Sequence, residues 1–188
     1  MNDIIVTQTD QQIGYKGKVT LNLYDSDRKK TINTVQVHNT GTVHMFNFLA
    51  NCLIAQWNVA QANYPSRIVI FKTEAGEETF DPDKWKSENA ITPDTGILQS
   101  SIPLLETDYD KQTCSVKFHF RIPTSLISQV GSAGKIGLYS RMITLNEPLA
   151  YVFISSEEQS ALAAAANNPH LVIILDWVLT IPNKAEGE

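Results

Sequence analysis

The sequence predicts a mainly β fold, an α+β chain leaning to all-β: an antiparallel β-sandwich with one long helix packed on the sheets or capping them. Three observations lead there. Short stretches alternate apolar and polar residues with a period of two, and turn-forming residues separate them. The strand–helix–strand rhythm of a parallel sheet is missing. One uncharged segment, about residues 42–61, has the pattern of a helix that other elements wrap. At 188 residues the chain suits one domain with a sizeable core.

The elements follow in order. Residues 1–14 are polar and read as an N-terminal arm, ahead of a single domain over 15–183. Residues 18–24 put Val19, Leu21 and Leu23 on one face and Thr20, Asn22 and Tyr24 on the other. The charged DSDRKK turn then leads to a return strand over 31–37. No Asp, Glu, Lys or Arg occurs from Thr31 to Ser66. Within that span Thr40 or Thr42 suits a helix N-cap and Gly41 a tight entry. Phe46, Leu49, Leu53 and Trp57 are expected in the core. His44, Asn47, Asn51 and Asn58 share one narrow stripe, either a wet edge or a neutral contact to a neighbouring subunit.

RIVIF, residues 67–71, reads as a buried strand. The loop 73–96 that follows has seven acidic and two basic residues, against 13 and 13 in the rest of the chain. All of the net charge lies in that loop, where steering and like-charge repulsion are expected to govern partner choice. Its rings, Phe80 and Trp85, either anchor it to the body or form an exposed contact patch. Residues 102–105 suit a short strand. Residues 114–122 suit a clear one, with Phe118 and Phe120 inward, His119 outward, and Pro123 ending the ladder. Strands over 135–143 and 149–154 precede a short helix over 157–166, capped by Ser155 or Ser156. The final strand, 171–181, is apolar at nearly every position and reads as central, with Trp177 in the core. Residues 184–188 form a solvated tail.

Composition narrows function. Net charge is 15 − 20 = −5, which argues against nucleic acid and against an anionic membrane surface. No apolar run approaches the roughly 18 residues that a membrane helix needs, and the first residues lack the basic and apolar regions of a signal peptide. Cys52 and Cys114 read as buried thiols.

A search for chemistry finds little. His38, His44, His119 and His170 make no HxxxH or HExxH pattern, and there is no CxxC. GxSxG is absent, and Cys52 lies among Phe48, Leu49 and Leu53. Gly131, Gly134 and Gly137 lack the strand–loop–helix context of a phosphate site. Asp25 with Asp27, and Asp81 with Asp83, have the spacing of Ca²⁺ ligands, although a solvated turn explains each pair. The chain is therefore expected not to be an enzyme, with no catalytic, cofactor-binding or metal residue and no cofactor.

One resemblance carries further. KGKVTLNLYD, HNTGT before FNFLANCLIA, YPSRIVIF, CSVKFHFRIPTSLI, GKIGLYS, PLAYVFI and LVIILDWVLTIPN follow one another over residues 15–183. This order resembles small structural proteins of tailed bacteriophage particles. The resemblance implies a β-sandwich present in several copies on the capsid, neck or tail. It would be made in the host cytoplasm and built into the virion, with other virion proteins and its own copies as partners. It brings no catalytic residues. Residues 1–14 and the loop 74–96 are then the expected contacts between subunits. The alternative is a module that binds carbohydrate or a receptor, such as a host-surface glycan, through Tyr24, Trp85, Tyr109 and Tyr139.

Overall fold

The structure, a computed structural model, describes residues 16–53, 64–72, 79–91, 102–122, 126, 129, 133–140, 147–166 and 170–180. Eight strands are present: β1 (Lys16–Asp25), β2 (Lys30–Gly41), β3 (Pro65–Lys72), β4 (Ile102–Asp110), β5 (Ser115–Ile122), β6 (Ala133–Ser140), β7 (Ala150–Phe153) and β8 (Leu171–Thr180). Helix α1 (Val43–Leu53) follows β2, and α2 (Ser156–Ala166) follows β7. The strands close into a barrel in the order β1-β2-β7-β6-β3-β4-β5-β8, and every neighbouring pair is antiparallel.

This corrects the β-sandwich expectation. Five strands, β2-β1-β8-β5-β4, form one long-laddered sheet, and β7-β6-β3 form a smaller one. In a sandwich the two sheets would meet only through side chains. Here they are hydrogen-bonded at both seams, through Thr40↔Tyr151 and Gly41↔Ala150 on one side and Arg67↔Pro103 and Ile68↔Ile102 on the other. Inward–outward alternation is the same in a sandwich and a barrel, so the sequence pattern does not separate them. The pairings at the seams do.

The one long helix is also corrected, to a short one: α1 has 11 residues, as does α2, which stands where the short helix was expected. Residues 54–61 of the expected helix lie outside the described residues. Thr42 caps α1: its Oγ1 accepts the His44 N–H at 3.2 Å and donates to Leu149 O at 3.0 Å. Helix α2 starts with a capping box, Ser155 N donating to Glu158 Oε2 (2.7 Å) and Glu158 N to Ser155 Oγ (3.3 Å). The strand directions place the helices at opposite ends of the barrel. Helix α1 leaves β2 at the end where Gly17 pairs with Asn39, and α2 lies before Leu171, which pairs with Asp25 at the other end.

The barrel is filled. Val19, Leu21, Leu23, Phe118, Phe120, Ile122, Ile173, Leu175 and Trp177 project inward with Ile68, Ile70, Ile136, Leu138 and Val152. Met45 of α1 and Leu162 of α2 extend this cluster, with Phe48 and Leu49 packed against it. Phe46 departs from expectation, being 37% exposed. A short helix closing a barrel end buries one face, so the apolar pattern all around α1 does not mean burial all around. The side chain of Leu53 and the whole of Trp57 lie outside the described residues. No helix among the described residues is long and apolar enough to cross a membrane.

The two long hairpins share one turn design. In residues 25–30, Asp25 Oδ1 accepts the N–H groups of Asp27 and Arg28 at 3.0 Å each, and Lys29 adopts φ 51°. In residues 110–115, Asp110 Oδ1 accepts from Gln112 (2.8 Å) and Thr113 (3.5 Å), and Cys114 adopts φ 49°. An aspartate four residues before a left-handed residue thus reverses the chain twice.

Candidate functional site

Three surfaces outside the packed interior hold the side chains on which function can rest. The first lies on the outer face of the large sheet. His119 on β5 pairs with Asp176 on β8 in the strand register. Its Nδ1 lies 2.7 Å from Asp176 Oδ1, and its Nε2 lies 3.0 Å from Asp108 Oδ2 on β4. Glu106 Oε1 is 4.0 Å from the same Nε2. The row continues the other way: Asn22 on β1 donates to Asp176 Oδ2 at 3.1 Å, and Thr34 on β2 donates to Asn22 Oδ1 at 3.2 Å. One polar row thus crosses five strands. Burial by itself lowers the His119 pKa, but the bonds to Asp108 and Asp176 outweigh it and raise the value above 6.5.

The chemistry of this row is limited. A histidine that activates a nucleophile needs one ring nitrogen free to take the proton. Carboxylates occupy both nitrogens of His119, and they favour the imidazolium over the free base. No described Ser, Thr or Cys hydrogen-bonds to it. Glu106, Asp108 and His119 are close enough together to hold a cation, but Asp108 already spends an oxygen on the ring. The arrangement works as an electrostatic clamp between β4, β5 and β8. The sequence pattern puts His119 outward and gives it no partner. The available signal was Asp176, the one charged residue in the otherwise apolar LVIILDWVLT strand.

The second surface is the outer face of β3, β6 and β7. Residues 79–91 run across it as a strap. Asp81 caps a 3-10 turn, Pro82–Lys84, by accepting the Asp83 N–H at 3.0 Å. Trp85 is then driven into a second apolar cluster with Val69, Phe71, Ala90 and Tyr139, with Phe80 and Tyr151 at its edge. Trp85 is 1% exposed, its ring centroid 4.9 Å from that of Phe71 and 5.4 Å from that of Phe80. Gly137 makes the approach possible: a Cβ there would lie 2.8 Å from the Trp85 ring. Lys135 is fully buried beneath the strap; its Nζ donates to Lys84 O at 3.1 Å and lies 5.4 Å from the Trp85 centroid. Ile91 N donates to Ile70 O at 2.8 Å and fixes the far end.

Of the two readings of Phe80 and Trp85, the structure has the anchor. Trp85 is inside and Phe80 half-buried, so neither forms an exposed patch. Burial also raises the Tyr139 phenol well above its usual pKa. Of the four rings considered for glycan contact, Trp85 and Tyr139 are therefore buried, Tyr24 is half-buried, and Tyr109 is exposed. On α1, His44 is half-buried and Asn47 exposed. The side chain of Asn51, all of Asn58, the arm 1–14 and the ends of the acidic loop lie outside the described residues. The two acidic pairs serve their own turns. Asp25 takes backbone N–H groups, with the Arg28 N–H foremost in holding its carboxyl below the usual range, and Asp81 takes the Asp83 N–H.

The third surface is the pair of strand edges left open where the seams stop. Strand β2 meets β7 only at Thr40 and Gly41, and β4 meets β3 only at Ile102 and Pro103. Beyond those points the outer backbone edges of β2 and β4 have no partner strand among the described residues. Strand β4 runs past the short strand expected over 102–105, because ETDYD has no apolar alternation and only the pairing with β5 draws it into strand.

Comparison with protein-family models, with curated proteins and with solved structures finds no match to this chain.

Proposed function

We propose that this chain is a structural component of a tailed-bacteriophage particle, acting by self-association and by docking on other virion proteins. The supporting observation is where the structure spends its chemistry. Among the described residues the interior is filled with apolar side chains, the His119 cluster is saturated by carboxylates, and the edges of β2 and β4 are open. Open edges are what assembling β proteins use to join neighbours. The order of motifs over residues 15–183, which resembles small virion proteins, supplies the biological setting. The glycan-binding alternative loses two of its four rings to burial.

The test is mass spectrometry of purified particles from the phage or prophage that encodes this sequence. The proposal expects peptides of the chain in washed particles at several copies per particle. A chain that is abundant in producing cells and missing from particles refutes it.

A further inference from the structure

We propose that copies of this chain join head to tail through their strand edges, the open edge of β2 on one copy taking the open edge of β4 on the next. The inference rests on the self-association proposed above and names its surface. On β2 the open edge runs from Lys30 to Asn39; on β4 it runs from Leu104 to Asp110. Each edge carries a β-bulge, and each bulge turns out a large aliphatic side chain. Ile32 is the unpaired residue between Thr31 and Asn33, and Leu105 the one between Leu104 and Glu106. Ile32 is 44% exposed, and Leu105 and Tyr109 are 62% exposed, three of the six large apolar residues the described surface leaves out.

Charge selects the pairing. Strand β4 carries Glu106, Asp108 and Asp110 and no base, so two β4 edges would set three acids against three. Strand β2 has one charge, Lys30, preceded in its turn by Lys29. Arg28 and Asp27 beside them are engaged with Asp25 and with His170, and on β4 Asp108 is engaged with His119 and Asp110 with its own turn, so the selection rests on the sign of the charge along each edge and not on free partners. An antiparallel joint, the sense of every pair in this barrel, brings Lys29 and Lys30 to the Asp108–Asp110 end of the neighbouring β4. The β4 edge therefore has β2 of another copy as its matching edge. Because the two edges differ, the contact is heterologous and each copy keeps one edge free for the next, giving a ring or a filament.

Two variants test this: Ile32→Glu sets an acid on the β2 edge against the β4 acids, and Leu105→Lys sets a base on the β4 edge against the β2 lysines, both at exposed positions. Light scattering on the full chain should give an assembly for the wild type and a single 20.9 kDa chain for each variant alone. Mixing the two variants should restore one joint, from the intact β4 of the first and the intact β2 of the second, at 2 × 20.9 kDa. Thermal melts near that of the wild type show that both variants are folded; if either melts early, Lys30→Glu replaces Ile32→Glu and Leu105→Gln replaces Leu105→Lys. A wild-type assembly that survives both substitutions overturns the edge joint while self-association stands. Loss of assembly in Ile32→Glu but not in Leu105→Lys overturns it in favour of a two-fold β2 joint, and loss in Leu105→Lys alone overturns it in favour of a two-fold β4 joint. A wild type that stays single at all concentrations overturns the joint and the self-association together.

Discussion

Replacing Trp85 with alanine should strip the strap from the barrel. The ring is 1% exposed and packs within 4.9–6.5 Å, centroid to centroid, of Phe71, Phe80, Tyr151 and Phe153. A tryptophan buries about 150–250 Å², and at about 25 cal/mol per Å² that is worth about 4–6 kcal/mol. The figure is an upper bound, because the unfolded chain already hides some apolar surface. Truncations of this kind cost about 3–5 kcal/mol, so a loss of about 3–4 kcal/mol is expected. Two effects add to the lost contact: Lys135 loses the ring above its ammonium, and Gly137 is left facing a cavity. Urea titration followed by circular dichroism measures the loss. Hydrogen exchange at the Ile91 amide, which is bonded to Ile70 O, reports whether the strap lifts. A loss below about 1 kcal/mol, less than a typical point mutation costs, together with a protected Ile91 amide, would refute the reasoning.

Two further outcomes follow from the geometry. The folded pKa of His119 lies above 6.5, so its contribution to stability is complete below pH 6.5 and fades as pH rises through the folded value. The stability gap between wild type and His119→Asn should therefore be wider at pH 6 than at pH 9 in paired urea titrations; a gap that widens with pH contradicts the clamp. Cys114 holds φ 49°, where a β-branched residue is strained, so Cys114→Val should cost about 1–2 kcal/mol, whereas Cys114→Gly should change stability by about 0.5 kcal/mol or less. Equal effects of the two substitutions in thermal melts would show that the turn does not depend on that backbone angle.

The sequence made the strands legible, because alternation reports burial directly. Val19, Leu21 and Leu23 and the odd positions of β8 face inward as their pattern requires. The local chemistry of the short helix, with Ser155 and Glu158 at its start, was equally readable. Closure was not. It depends on two residue pairs at each seam, brought together from as far apart as Gly41 and Ala150, and no local pattern encodes such a pairing. Phe46 misled because an apolar helix surface looks the same whether walls enclose it or it merely plugs an end. The His119 row was invisible for a related reason. Asp108, His119 and Asp176 are ordinary outward residues in three separate strands, and only the β4-β5-β8 register makes them neighbours. Trp85 carried two readings in the sequence, and the space that Gly137 leaves on β6 decides between them.

If copies of the chain join through the open edges of β2 and β4, they must associate in solution. The most direct measurement is the light-scattering mass of the wild-type chain over a wide concentration range, at low and at high salt. An integer multiple of 20.9 kDa that falls as salt screens Lys29 and Lys30 from the β4 acids is expected. A mass of 20.9 kDa at every concentration and salt would contradict it.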